Sequence, residues 1–163
     1  YELTNVAGTL YFSTMSDLDR GQLWKSDGSY AGTVLVKEFA TGLSGLTPVG
    51  ARLYFAAYTE NEGRELWKSD GTEATTSLAA DVSPGQNENG APNSGDPIYL
   101  TNVGGTLFFR ARHPTLGREL FKSDGTQAGT VFVKDINAGT GNSSPASLTN
   151  VNGVLYFTAL TVA

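Results

Sequence analysis

The sequence predicts an all-β protein, a β-propeller or a segment of one, and three observations support this fold class. A ten-residue motif begins at Leu3, Leu46, Leu100 and Leu148, and reads LTNVAGTLYF, LTPVGARLYF, LTNVGGTLFF and LTNVNGVLYF. The first three copies continue at an unchanged spacing into QLWKSDGSYAGT, ELWKSDGTEATT and ELFKSDGTQAGT. Apolar residues occur in short runs between Gly, Asn and Asp without helical periodicity, which indicates strands. Four strands recurring every 40–50 residues or so are typical of propeller blades.

The repeats predict one β-repeat domain over residues 1–163. We place blades at 3–39, 46–82 and 100–136 and a half blade at 148–163, separated by linkers at 40–45, 83–99 and 137–147. In the first blade we expect strands at 3–6, 9–14, 22–26 and 33–39. An open, solenoid-like stack of the same four-stranded units is the alternative architecture.

Two kinds of turn are predicted within each blade. Gly and Asn tolerate positive φ, so the pairs Ala7-Gly8, Gly104-Gly105 and Asn152-Gly153 indicate two-residue hairpins between the first and second strands. A turn between the third and fourth strands follows from the recurring Lys-Ser-Asp-Gly run, in which the Asp carboxylate accepts N–H bonds and Gly takes positive φ. We interpret these residues as structural, although a repeated ligand or cation site is the other interpretation of Asp27, Gly28, Asp70, Gly71, Asp124 and Gly125.

Composition argues against several functional classes. The chain has no Cys and one His, which argues against disulfides and zinc sites. With 11 Lys and Arg against 16 Asp and Glu, the net charge of −5 disfavours nucleic acid as a partner. No apolar run approaches the roughly 20 residues of a membrane span, so no membrane insertion is expected. The motifs of serine hydrolases, zinc proteases and P-loop enzymes are also missing, and we predict that the protein is not an enzyme.

The repeated G-x-E-L-W-K-S-D-G-T-x-x-G-T run, preceded by L-T-N-V-x-G-x-L-Y-F, resembles the ELWxxDGT repeat family of large exported and surface proteins of bacteria. The resemblance extends over essentially the whole chain. It implies a propeller-like β-repeat and an extracellular or cell-surface location, and it implies no reaction. The chain departs from the pattern at Gln22 in place of Glu, at Phe121 in place of Trp and at Thr75 in place of Gly.

Three full units and a half unit predict that strand edges and a blade face stay open, and such surfaces associate. The expected partners are other copies of the chain or adjoining repeats of a longer chain. Both the loops between the second and third strands and the linkers vary among units, and both are expected on one face of the disc. Variable loops on a rigid scaffold commonly carry binding functions.

Three groups of side chains are candidates for binding. The aromatic residues of the third strand stack on sugars or pack between blades, and they are Trp24, Trp67 and Phe121. A basic spot for an anion is formed by Arg110, Arg112 and His113, unless these residues simply mark an exposed strand end. Carboxylates in two loops are either calcium ligands or solvated charges, and they are Asp17, Asp19, Glu60 and Glu62. No cofactor other than calcium is expected.

The leading functional hypothesis is a non-catalytic structural or adhesive module that self-associates through open blade edges. The alternative is a lectin-like propeller that binds surface glycans on its variable face. A hydrolase is the weakest of the three hypotheses, because nothing in the sequence selects a pair of catalytic carboxylates.

Overall fold

The computed structural model describes residues 2–161, in which the chain forms fourteen β-strands and no helix. The first unit has strands β1 (Leu3–Val6), β2 (Thr9–Met15), β3 (Gly21–Ser26) and β4 (Val34–Phe39). The second has β5 (Ser44–Val49), β6 (Arg52–Thr59), β7 (Gly63–Ser69) and β8 (Ser77–Ala80). The third has β9 (Ile98–Val103), β10 (Thr106–His113), β11 (Gly117–Ser123) and β12 (Val131–Lys134). The fourth has β13 (Ala146–Val151) and β14 (Val154–Thr158).

Each unit is one antiparallel sheet whose strands pair in chain order. The three full units have four strands, and the fourth unit has two. The all-β class and the four-stranded units are therefore confirmed, whereas the ring arrangement of a propeller stays a prediction. Residues 1, 162 and 163 of the predicted domain lie outside the described range. No helix in residues 2–161 is long and apolar enough to cross a membrane.

Strand bounds differ from the predicted ones in two ways. The first strands of units two to four begin at Ser44, Ile98 and Ala146, two residues before the leucine of the motif. The fourth strands β8 and β12 have only four residues each. In every full unit the pairing of the third and fourth strands shifts register beside the third-strand aromatic residue. Such a bulge bends the outer strand and increases its twist.

The hairpins between the first and second strands have the predicted turn geometry. Both turn residues have positive φ at Ala7 and Gly8 (49° and 92°), and also at Asn152 and Gly153 (50° and 84°). This left-handed geometry matches the twist of paired strands. It also fixes the register, so that Leu3 lies opposite Phe12 in the first unit.

The core lies between the sheets, because each strand sends alternate side chains to opposite faces. We call the side of a unit that packs on the following unit its front face, which bears Val6, Tyr11, Leu23 and Val36 in the first unit. The opposite side is the back face, which bears Leu53, Phe55, Trp67 and Leu78 in the second unit. The front face of unit two packs in the same way on the back face of unit three, through Tyr54, Leu66, Ala79, Leu107, Phe109 and Phe121. Both faces of the second unit are thus covered, as the three successive apolar residues of β6, Leu53, Tyr54 and Phe55, require.

Candidate functional site: the contacts between units

Glu65 is the third residue of β7 and is fully buried. Its carboxylate accepts an N–H bond from Val82 at 2.8 Å and another from Gly95, which lie near the two ends of the linker that follows the second unit. Glu119 is likewise fully buried and accepts N–H bonds from Ser143 at 2.7 Å and Ile136 at 3.3 Å. The glutamate of the Glu-Leu-aromatic motif therefore holds the two long linkers against the sheet by hydrogen bonds to their backbone.

The first unit has Gln22 at this position. The Gln22 side chain accepts a hydrogen bond from the Thr14 hydroxyl at 3.0 Å and donates one to Glu38 at 3.1 Å, both within the unit. The first linker is the shortest of the three predicted linkers. The sequence analysis did not assign a role to Glu65 and Glu119. A signal was present, because this position holds a glutamate only in the two units that are followed by a long linker.

Burial raises the pKa of Glu65 to about 8. The N–H groups of Val82 and Gly95 act in the opposite direction, because they stabilise the charged form, and the neighbouring Asp81 raises the pKa further. The carboxyl group therefore takes up a proton on folding at neutral pH.

A tyrosine on the second strand of one unit contacts the Asp-Gly turn of the next unit. A Cβ atom on Gly71 would lie 2.3 Å from the Tyr11 hydroxyl oxygen, and a Cβ atom on Gly125 would lie 2.1 Å from that of Tyr54. Between the second and third units, Lys68 Nζ also donates a hydrogen bond to the carbonyl oxygen of Gly125 at 2.7 Å. Two features therefore require glycine at these turns. The tyrosine leaves no room for a Cβ atom, and the φ values of Gly71 and Gly125 are 95° and 88°.

The first strands of successive units contact one another, β1 with β5, β5 with β9 and β9 with β13. Side chains join them: Asn102 Nδ2 donates to the carbonyl oxygen of Pro48, and Asn150 Nδ2 donates to that of Asn102, both at 2.9 Å. These asparagines occupy the third position of the LTNV motif. The motif thus encodes a contact between units as well as a strand.

The Asp-Gly turns are also held internally. Asp27 accepts bonds from the N–H and hydroxyl groups of Ser29 at 2.9 and 2.7 Å, and Asp124 does the same with Thr126. These hydroxyl bonds lower the pKa of both carboxyls. Asp70 differs, because it pairs with the guanidinium of Arg52 at 2.7 Å. Asp27 and Asp124 therefore bond within their own turns, whereas Asp70 pairs with the first residue of β6.

The repeated aromatic position has two environments. Trp67 and Phe121 are buried between units, and Trp67 meets Phe39 edge to face at 5.1 Å. Trp24 lies on the back face of the first unit, where its ring is roughly parallel to that of Phe12 at 6.2 Å. No unit among residues 2–161 covers this face. Leu10 and Leu35, on the same side, are 37% and 44% exposed.

The front face of the fourth unit is also open. Tyr156 is 58% exposed and Val151 is 46% exposed. Tyr156 occupies the repeat position of Tyr11 and Tyr54. The described units therefore end in one open back face and one open front face.

The predicted basic spot is divided. The Arg110 guanidinium lies 5.0 Å above the Tyr99 ring and donates a bond to the carbonyl oxygen of Pro145 at 3.4 Å. Arg112 is exposed on the same strand. His113 borders a cavity between the second and third units. Arg110 is thus used for packing, whereas Arg112 and His113 line a further cavity together with Arg118.

The acidic residues lie in two separate loops. Asp17 and Asp19 are exposed in the first, Glu60 is exposed in the second, and Glu62 is half-buried there and accepts a bond from the Thr59 hydroxyl. Among residues 2–161, no three side chains of the metal-binding types lie close enough to hold an ion.

Comparison of the chain with protein families, curated proteins and solved structures finds no match.

Proposed function

We propose that the chain is a non-catalytic structural or adhesive module of an exported or cell-surface bacterial protein, which binds further copies of its own unit. The resemblance to the ELWxxDGT repeats supports the location and a propeller-like arrangement. The observation that carries the proposal is the open back face of the first unit together with the open front face of the fourth.

The two open faces are the two halves of one contact. Tyr156 on the fourth unit corresponds to the tyrosines that press against an Asp-Gly turn, and Gly28 on the first unit corresponds to the glycines that receive them. A Cβ atom on Gly28 would have no described neighbour within 4 Å, unlike one on Gly71 or Gly125. Because the fourth unit has only β13 and β14, a second molecule can repeat on it the first- and second-strand contacts already used inside the chain.

Apolar burial supplies the driving force for this contact. Leu10, Phe12, Trp24 and Leu35 occupy the repeat positions of Leu53, Phe55, Trp67 and Leu78, which are covered in the second unit. Burial of apolar surface is worth roughly 25 cal/mol per Å². Exposed sheet faces and edges of this kind are typical sites of association.

Native mass as a function of concentration tests the proposal. We expect assemblies larger than one chain, and we expect Phe12→Lys or Tyr156→Lys to shift them to the monomer. Leu18→Lys is the matched control, because Leu18 is 80% exposed in a loop and lies on neither face. A discrete oligomer indicates a closed ring and continuous growth indicates a filament. A wild-type monomer at all concentrations, or no effect of the two face variants, contradicts the proposal.

A lectin-like role is the second candidate, and the parallel Phe12 and Trp24 rings favour it. Phe12 and Trp24 are half-buried, and aromatic rings with one free side are suited to stacking on the apolar face of a sugar. Because the same rings take part in the proposed association, a glycan bound there would compete with assembly. Binding in a glycan screen that Trp24→Ala removes supports this role, and no binding at millimolar sugar rejects it.

A further inference from the structure

A polar cavity of about 340 Å³ lies beside the third unit, where the loop between β10 and β11 meets the linker after β12. We call it the arginine cavity. Arg112 and Arg118 line it from the strands, Thr140 and Asn142 line it from the linker, and no Asp or Glu of residues 2–161 lines it. The cavity is separate from the open faces, and binding of a ligand in it does not depend on the proposed self-association.

Two arginines lie directly opposite each other at this cavity. Arg112 of β10 is the antiparallel partner of Arg118 of β11. Side chains at such positions share one face of the sheet with their Cβ atoms about 5 Å apart, and like charges there are destabilising. The corresponding pairs of the other two full units contain at most one cation, and they are Met15 with Gly21 and Tyr58 with Arg64. Of the three full units, the third alone places two cations together here.

Comparison with the second unit accounts for the unpaired state of Arg118. The corresponding Arg64 donates to the Ser44 hydroxyl at 2.6 Å. In the third unit the position of Ser44 holds Ile98, whose side chain has no acceptor. Within residues 2–161, the exposed guanidinium groups of Arg112 and Arg118 form no ion pair and donate no hydrogen bond. Both groups are therefore available to an anion.

The linker adds a third donor to the cavity. Asn142 Oδ1 accepts the backbone N–H of Arg118 at 2.8 Å, which orients the amide, and Nδ2 donates to no atom of residues 2–161. The linker lies close to the strand, because a Cβ atom on Gly117 would overlap the Gly141 carbonyl oxygen. Asn137 Nδ2 also donates to the Asn142 carbonyl oxygen at 3.3 Å. A preformed site loses less free energy on binding than one that must first be ordered.

We propose that the arginine cavity binds an acidic sugar, a uronic acid, whose carboxylate lies between Arg112 and Arg118. A carboxylate accepts paired N–H bonds from a guanidinium, and its charge offsets the repulsion between the two cations. The volume is about ten times the roughly 30 Å³ that one water molecule occupies in the liquid, so a sugar ring fits beside the carboxylate. The ring hydroxyls lie against the polar side chains of Thr140 and Asn142.

Titration calorimetry with methyl glucuronide tests the site. Two probes separate the parts of this ligand, because methyl glucoside has the ring without the charge and acetate has the charge without the ring. We expect saturable binding of the glucuronide and affinities at least about tenfold lower for both probes, since each probe loses hydrogen bonds that the glucuronide makes. No saturable binding of the glucuronide overturns the proposal. Equal affinity for acetate or for the glucoside also overturns it.

Substitutions of the two arginines locate the ligand. Arg112→Gln and Arg118→Gln should each weaken glucuronide binding at least about tenfold, because each removes a charged donor. Neither should lower the thermal midpoint of the unliganded protein, since each relieves a contact between like charges. Lys122→Gln is the matched control, because Lys122 is exposed on the same strand, lies outside the cavity and carries the same charge. Binding should be unchanged in the control, and equal losses in all three variants overturn the proposal.

Two further variants separate the arginine cavity from the open back face. Asn142→Asp keeps the acceptor of the Arg118 N–H and replaces the Nδ2 donor by a carboxylate oxygen, so binding should weaken at least about tenfold. Unchanged binding in this variant overturns the proposal. Trp24→Ala alters the back face of the first unit and should leave glucuronide binding unchanged. Loss of binding in Trp24→Ala would place the sugar on that face instead and would overturn the assignment to the cavity.

Discussion

The Tyr54 hydroxyl donates a hydrogen bond to the carbonyl oxygen of Asp124 at 3.4 Å. The second unit thus reaches the Asp-Gly turn of the third, beside the position where a Cβ atom on Gly125 would overlap the tyrosine oxygen. Gly71 and Gly125 therefore each take part in two structures, the turn of their own unit and the contact with the unit before it.

Gly125→Ala should destabilise the protein more than Gly28→Ala. Their φ values are 88° and 92°, so both variants lose about 1–2 kcal/mol to left-handed strain. Only Gly125→Ala adds the overlap with Tyr54, worth about 1–3 kcal/mol more. Urea unfolding of the two variants measures the difference. Adding Tyr54→Phe should recover part of the Gly125→Ala loss, and equal losses in the two glycine variants would contradict the contact.

Because the pKa of Glu65 is raised in the folded chain, the free energy of unfolding should fall as pH rises from about 4.5 to 8. In this range the folded chain keeps a proton on Glu65, whose pKa is about 8, whereas the unfolded chain has lost it from an ordinary carboxyl. The folded state binds more protons, so the free energy of unfolding falls with pH, by at most about 1.4 kcal/mol per pH unit for one proton. Unfolding midpoints between pH 5 and 8.5 measure the slope. Glu65→Gln should make the stability depend less on pH, whereas Glu60→Gln, in an exposed loop, should leave this dependence unchanged. An unchanged pH dependence in Glu65→Gln would refute the raised pKa of Glu65.

Trp67→Ala should cost far more stability than Trp24→Ala. Trp67 is 8% exposed and packed against Phe39, and truncation of such a residue costs about 3–5 kcal/mol. Trp24 lies on the open back face, so its loss should chiefly weaken association. Thermal unfolding and native mass of the two variants separate these effects. Similar losses of stability would show that the two faces are equally covered.

Calcium should change neither the native mass nor the thermal midpoint. The four loop carboxylates lie in two loops, and no three metal-binding side chains within residues 2–161 come together. Solvated carboxylates without a cage bind the ion weakly. Paired measurements in calcium and in a chelator check this, and a midpoint shift that Asp17→Asn together with Glu60→Gln removes would restore the calcium hypothesis.

The repeats made the strands and hairpins predictable, because LTNV, the Gly-containing pairs and the Asp-Gly turns each have a local physical cause. The shorter outer strands were not predictable, since the bulge beside Trp67 depends on strand pairing. Burial of Glu65 was missed because an acidic residue is ordinarily exposed. The arginine cavity depends on Arg112 and Arg118, which a loop separates in the sequence, and only the strand register shows that they lie opposite each other.

The tyrosine-to-glycine contact has a consequence for how such a chain changes in length during evolution. Gly71 and Gly125 contact the tyrosine of the preceding unit, and the first two units each carry a tyrosine that contacts the following one. Duplicating one such unit in the gene therefore supplies both partners of the new interface at once. Whole units can be gained or lost by recombination with this contact preserved, while a long linker brings with it a buried glutamate such as Glu65 or Glu119.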